Sequence, residues 1–246
     1  MTTPTRARGR VRVEQGDKRI RAYLGGEVVA DTSRPLLVWE KPYYPAYYFP
    51  AADVRLGLFS EDGGIAHSPS RGDAKVLNVR VGAHERPGAA LLYEESPFDD
   101  LHDTIRLEWS AMDAWFEEDE EVFTHPRDPY TRVDILPSSR HVRVEVDGVT
   151  IAESTKPTLL FETGLPTRYY LPKTHVRMEL LARVDTTSHC PYKGQADYWS
   201  LSLGEIVVQD VAWSYRTPLP ESQKIAGLVS FYPEKVDLYV DGRLQR

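Results

Sequence analysis

The sequence predicts a mainly β, α+β protein. It reads as two homologous, compact, antiparallel β domains, each with about one helix, related by pseudo-twofold symmetry. Three observations lead there. First, segments recur at a fixed offset of 122 positions: Ala66-His67-Ser68-Pro69-Ser70-Arg71-Gly72 falls on Ser188-His189-Cys190-Pro191-Tyr192-Lys193-Gly194, and Tyr47-Tyr48-Phe49-Pro50 on Tyr169-Tyr170-Leu171-Pro172. Over 29–74 against 151–196 no gap is needed, and 14 of the 46 pairs are identical. A period this long means two copies of one domain rather than a solenoid. Second, short apolar, β-favouring runs alternate with Gly, Pro and Asp-Gly punctuation, as antiparallel strands do. Third, the proline-spaced stretch His125-Pro126-Arg127-Asp128-Pro129-Tyr130 reads as a stiff connector between the copies. A fused pair of equal domains is a covalent version of a homodimer, hence the expected pseudo-twofold axis.

Taken in order, residues 1–15 form a flexible basic tail with a β-like run at Val11-Arg12-Val13, 16–122 the first domain, 123–137 the linker and 138–246 the second domain. Each copy opens on a hairpin: Ile20 to Leu24, Gly25-Gly26, Glu27 to Ala30, and Val142 to Val146, Asp147-Gly148, Val149 to Ala152. Gly-Gly and Asp-Gly suit such turns because both tolerate positive φ. Leu36 to Glu40 and Thr158 to Glu162 follow as strands. The aromatic segments around Tyr47-Tyr48 and Tyr169-Tyr170 are flanked by prolines, which cannot donate to a ladder, so they read as edge or loop-bounded strands. Beyond the His-x-Pro motifs the copies diverge. The second continues with strands over Asp197 to Leu203 and Glu205 to Trp213. Pro218 to Tyr232 then reads as a helix, with Ile225, Leu228, Val229 and Tyr232 on one face, and Lys235 to Val240 closes as a strand. The first copy has an insertion-like run, Gly82 to Gly88, and a helix from Asp99 to about Trp115. The acidic run Glu117-Glu118-Asp119-Glu120-Glu121 reads as a solvated face, with a cation site as the sharper alternative.

Composition narrows the function classes. Of the 246 residues 41% are hydrophobic and 27% charged, as in a soluble globular protein, and a net charge of −7 does not point to general nucleic-acid binding. No apolar run approaches the ~20 residues of a membrane helix. The N-terminus carries arginines without an apolar core behind them, unlike a secretory signal. The single cysteine fits a reducing cytoplasm.

The chemistry concentrates in the second copy. Cys190 is a potential nucleophile with His189, Lys193 and His175 as nearby cations or bases; the competing reading is a small buried hydrophobe. Lys193, and Arg71 in the first copy, each precede a turn glycine, a setting that suits an anion as well as an ordinary surface turn. Glu162 is a candidate general base if desolvated. Tyr170, Tyr192, Tyr198, Trp199, Trp213 and Tyr215 are candidates for core, with the tyrosines beside prolines and turns placed to line a pocket mouth. A metal site would need His67, His175 and His189 to converge with Glu40 or Glu162, and none is expected. The chain lacks the glycine-rich nucleotide loops, Cys-x-x-Cys and the Gly-x-Ser-x-Gly elbow.

These residues resemble a tandem member of domain-of-unknown-function family 427. The resemblance is carried by Glu162, Tyr169-Tyr170-Leu171-Pro172, Val176-Arg177, the run from Cys190-Pro191-Tyr192-Lys193-Gly194 to Tyr198-Trp199, Ala212-Trp213-Ser214-Tyr215, Phe231-Tyr232, and the linker from Trp115 to Tyr130. It implies a compact β-rich domain with a pocket, under a label that hints at nucleotidyltransferase activity. The Asp-Val-Arg expected after the Tyr-Tyr-x-Pro segment stands as Asp53-Val54-Arg55 in the first copy but His175-Val176-Arg177 in the second, while only the second keeps Cys-Pro-Tyr-Lys-Gly.

The function expected is therefore that of a small-molecule-binding protein acting as an enzyme on a small anionic substrate in the second domain, with no cofactor assigned. Cys190, Glu162 and His189 are its candidate catalytic residues, and Tyr170, His175, Arg177, Tyr192, Lys193, Tyr198, Trp213 and Tyr215 its candidate binding residues. The alternatives are a non-catalytic binding module or a protein-interaction scaffold. Neither nucleic acid nor membrane is an expected partner. The chain is expected as a monomer with pseudo-dimeric halves or as a homo-oligomer.

Overall fold

A computed structural model describes residues 11–245. The chain divides into two compact units, Met1–Asp128 and Pro129–Arg246. The first contains β1 (Arg12–Gln15), β2 (Ile20–Leu24), β3 (Glu27–Thr32), β4 (Leu36–Trp39), β5 (Ala46–Pro50), β6 (Phe59–Ser68), β7 (Gly72–Val81), β8 (His84–Tyr93), β9 (Thr104–Leu107), β10 (Ala114–Glu117) and β11 (Glu120–Glu121). The second repeats the series as β12 (Val133–Pro137), β13 (Val142–Val146), β14 (Val149–Ser154), β15 (Thr158–Glu162), β16 (Arg168–Tyr170), β17 (Leu181–Cys190), β18 (Gly194–Leu203), β19 (Ile206–Tyr215), β20 (Ser230–Phe231), β21 (Asp237–Val240) and β22 (Arg243–Leu244). All ladders between these strands are antiparallel.

In the first unit a seven-stranded sheet, β1-β4-β5-β9-β8-β7-β6, accompanies a four-stranded sheet, β11-β10-β2-β3. In the second the large sheet is split into β12-β15-β16 and β17-β18-β19-β20, joined by a single bridge, Leu171 to Val229. The small sheet recurs as β14-β13-β21-β22. The period-two alternation of strands sorts side chains into two cores per unit. Tyr47 and Phe49 enter the cluster with Ile20, Ala22, Leu24 and Trp115, where Trp109 and Trp115 stack at 4.6 Å. Tyr48, between them, turns to the opposite face with Val38, Ala74 and Tyr93. The second unit does the same: Leu171 joins Val142, Val144 and Trp199, while Tyr170 joins Leu160, Ala196, Trp213 and Tyr215. No helix among the described residues is long and apolar enough to cross a membrane.

The equivalence of the copies runs further than their identities. The run Gly82 to Gly88 is no insertion: β7 and β8 match β18 and β19 residue for residue at the 122 offset, with turns at Gly82 and Gly204. The helix expected from Asp99 to Trp115 is two short 3-10 turns, strand β9 and the start of β10. The helix expected over 218–232 reduces to a 3-10 helix at Pro220–Ile225. Gly227 then takes φ 71°, and the chain continues extended into β20. The apolar spacing that resembled a helix face feeds two clusters on opposite sides: Val229 and Phe231 to one, Ile225, Leu228 and Tyr232 to the other.

The aromatic segments part ways. β16 lies at the edge of its sheet, but β5 is internal, between β4 and β9: Pro45 precedes the strand and Pro50 is its last position, opposite Thr104, so neither interrupts the ladder in mid-strand. Strand β1, expected as a β-like run in the tail, pairs with β4, and residues 133–137, expected as linker, form β12 and pair with β15. The rest of the tail lies outside the described residues. The acidic run is not simply a solvated face. Glu117 is buried against the Tyr47 hydroxyl at 2.6 Å and Lys18 at 2.6 Å, Arg21 meets Asp119 at 2.7 Å, and Arg127 pairs with Glu120.

Candidate functional site

The two His-x-Pro-x-(Lys/Arg)-Gly motifs are hairpin turns. Cys190 faces Gly194 across the ladder, and the Lys193 N–H donates to the Cys190 carbonyl at 3.3 Å. Ser68, Arg71 and Gly72 repeat this at 3.3 Å. The glycines sit at φ 89° and 83°, in the left-handed region that closes a turn of this kind. Proline and glycine thus shape the turn, which leaves the cation before the glycine to be explained by what it reaches.

It reaches a carboxylate at the end of a neighbouring strand. In the second unit Lys193 Nζ donates to Glu162 Oε2, with side chains only 11% and 9% exposed. In the first, Arg71 lies 3.8 Å from Glu40. Behind each pair stand two tyrosines at equivalent positions, Tyr170 and Tyr215, and Tyr48 and Tyr93. Burial pushes the Tyr170 and Tyr215 phenols above the ordinary value, so both stay neutral donors or acceptors at physiological pH. Burial, reinforced by the Glu40 charge, does the same to Tyr48.

Above the Glu162–Lys193 pair opens a cavity of about 190 Å³. Tyr170, Tyr198, Trp213, Tyr215 and Tyr232 supply its aromatic walls, and Ser188 and Arg168 its polar ones. The walls are cross-linked: Trp213 Nε1 donates to Tyr170 Oη at 3.2 Å, and the Tyr198 hydroxyl meets Ser188 Oγ at 2.8 Å and Tyr232 Oη at 3.2 Å. The Arg168 guanidinium sits 5.6 Å from the Trp213 ring centroid and 6.0 Å from that of Tyr232. Among the described residues it has no carboxylate or hydrogen-bonding partner.

Of the residues singled out in the sequence, Glu162, Lys193, Tyr170, Tyr198, Trp213 and Tyr215 come together here. The others lie elsewhere. Cys190 is half-buried in the turn, near enough to Tyr170 and Tyr215 to raise both phenols, but it does not line the cavity. His189 is exposed and, one residue along the strand, points to the other face. Tyr192 is half-buried, its carbonyl accepting from Ser222 at 3.0 Å. His175 Nδ1 meets Ser154 Oγ at 2.8 Å, where the first copy has Asp53 accepting from Thr32 at 2.7 Å. The Asp-to-His departure is therefore matched at a structural tether, outside the cavity. Arg177 is exposed and pairs with Glu179.

Arg168 and Tyr232 were missed as site residues, and so was the full extent of the first copy's counterpart. The signal was available: Gly82/Gly204, Ala90/Ala212 and Tyr93/Tyr215 continue the 122 offset past the motif. The first unit has a cavity of about 120 Å³ on its own carboxylate, lined by Glu40, Tyr47, Arg106, Glu108, Trp109 and Trp115 among others.

Among known proteins, a family profile described as a domain of unknown function (DUF427) matches residues 12–118 and, separately, 134–242. No curated protein matches the chain.

Proposed function

The chain belongs, through both of its halves, to the DUF427 family, and from that premise we propose that its second unit binds a small molecule bearing an anionic group in the cavity above Glu162 and Lys193. The observation that carries this reading is Arg168. A guanidinium without a carboxylate or hydrogen-bonding partner among the described residues, held over two aromatic rings at a concave site, leaves its donors for an incoming carboxylate or phosphate. The aromatic walls supply apolar area, and the buried ion pair fixes the floor. At about 190 Å³ the site suits a small metabolite rather than the ~300–1,000 Å³ typical of drug-sized ligands.

Glu162 enters this reading as a binding group. Lys193 holds one carboxylate oxygen, which keeps the group oriented and leaves the other to accept a hydrogen bond from a bound ligand. Cys190 and His189 have no part in this proposal, since neither lines the cavity. Cytoplasmic residence belongs to the same proposal, supported by a lone cysteine in 246 residues.

Calorimetric titration of the full chain with propionate and with inorganic phosphate tests the reading. Binding is expected to at least one, and to weaken about tenfold or more in Arg168→Gln, the loss of a charge-assisted hydrogen bond. No binding by either anion, or binding indifferent to Arg168, overturns it.

A further inference from the structure

The duplication supplies an internal comparison that deepens the reading of this pocket, on which it rests. Sheet register fixes the equivalences. Leu91 pairs with Arg106 in the first unit and Trp213 pairs with Ser230 in the second. Phe49 pairs with Ile105 as Leu171 does with Val229. The Glu108 N–H donates to Ala89 as the Tyr232 N–H does to Val211. Ser230 therefore stands where the first unit has Arg106, and Tyr232 where it has Glu108.

In the first unit the Arg106 side chain completes the site from within. Its Nε donates to Glu40 Oε1 at 2.8 Å and its Nη1 to Glu108 at 2.7 Å, while the Tyr48 hydroxyl also donates to Glu40 Oε1 at 2.8 Å. In the second unit all of this is gone. Glu162 takes Lys193 on Oε2 only, and among the described residues nothing donates to its Oε1. Tyr170 Oη accepts from Trp213 instead of meeting the glutamate. Ser230, 1% exposed, leaves its Oγ without a hydrogen-bond partner. Its neighbours, Trp213 across the ladder and Tyr232 two residues along, both line the cavity. A buried hydroxyl without a partner is costly unless something satisfies it, and Glu162 Oε1, at the cavity, is left to take a donor.

We propose that the ligand carries a cationic, planar hydrogen-bond donor, a guanidinium or amidinium, that occupies the place of the Arg106 side chain and donates to Glu162 Oε1 and Ser230 Oγ, with its anionic group on Arg168. The ligand class is thus a small zwitterion, flat at its cationic end and sandwiched by aromatic rings. The first unit binds its own guanidinium in this position, and the second takes one from solution.

The test compares 3-guanidinopropionate with propionate by calorimetry on the full chain. The guanidino compound is expected to bind about tenfold or more tightly, and Ser230→Arg, which restores the internal guanidinium, is expected to erase that advantage. Should Ser230→Arg fold poorly, Ser230→Arg with Tyr232→Glu rebuilds the first unit's Arg–Glu pair and serves the same purpose. Equal affinities in the unaltered protein, or an advantage that survives the arginine, overturn the proposal while leaving the anion site intact. Binding by neither compound overturns the proposal, and overturns the anion site as well when inorganic phosphate also fails to bind.

Discussion

The side chains that matter most are Glu162 and Lys193, and their burial decides how they are to be tested. A buried ion pair adds little net stability, since desolvation offsets the attraction, but removing one partner strands a charge. Glu162→Gln is expected to cost about 3–5 kcal/mol, and Glu162→Leu with Lys193→Met much less, both read by urea denaturation. If the double variant folds normally and no longer binds propionate, the pair serves ligand binding; a double variant as unstable as the single one assigns it to the fold. Sequence reasoning found both residues because a glycine-bounded turn cation and a motif glutamate stand out by type. It passed over Arg168 and Ser230, whose importance comes from what they lack: partners. Missing partners cannot be read from residue order, because the strands that would supply them are set by sheet register. Cys190 and His189 drew attention for intrinsic reactivity, a property that says nothing about which way a side chain faces.

At the level of elements, the hairpins were legible and the helices were not. Gly-Gly, Asp-Gly and alternating apolar runs placed β2–β3 and β13–β14 almost to the residue, since turn chemistry and strand period agree there. The helix expected over 218–232 failed because spacings of three and four also arise when a 3-10 turn runs into a strand buried on both faces. The Pro-x-(Lys/Arg)-Gly turns offer a matched experiment. Both glycines have positive φ, so alanine is strained at either by about 1 kcal/mol. A Cβ at Gly72 would also lie 2.7 Å from Pro97 Cδ, whereas at Gly194 the nearest atoms are 3.6 Å away. Gly72→Ala is thus expected to destabilise its unit more than Gly194→Ala does its own, as measured by hydrogen exchange of the two hairpins.

On the scale of the whole chain, the duplication was readable from 14 identities, yet the structure carries it through every strand. Backbone register outlasts side-chain identity because a hairpin is held by ladder bonds and turn length, which many sequences satisfy. Shared burial also gives both units the same response to base. Tyr47, Tyr48, Tyr170, Tyr215 and Tyr232 are all pushed up, first by burial, so the folded chain keeps phenol protons that the unfolded chain releases near its ordinary pKa of ~10. The unfolded state then binds fewer protons, and stability falls as pH rises through ~10 and beyond. The phenolate absorbance of these five is expected to appear together with unfolding; their ionisation in the intact fold near pH ~10 would contradict their burial. Neutral solutions offer a different view of the same rings. Trp109 and Trp115, their ring planes within 6° at 4.6 Å, form a stacked indole pair peculiar to the first unit. Trp213, beneath Arg168 and beside Tyr232, makes emission a gauge of occupancy in the second. With Trp39, Trp109, Trp115 and Trp199 emitting beside it, the change on occupancy is expected as a fraction of the total signal, with no label attached.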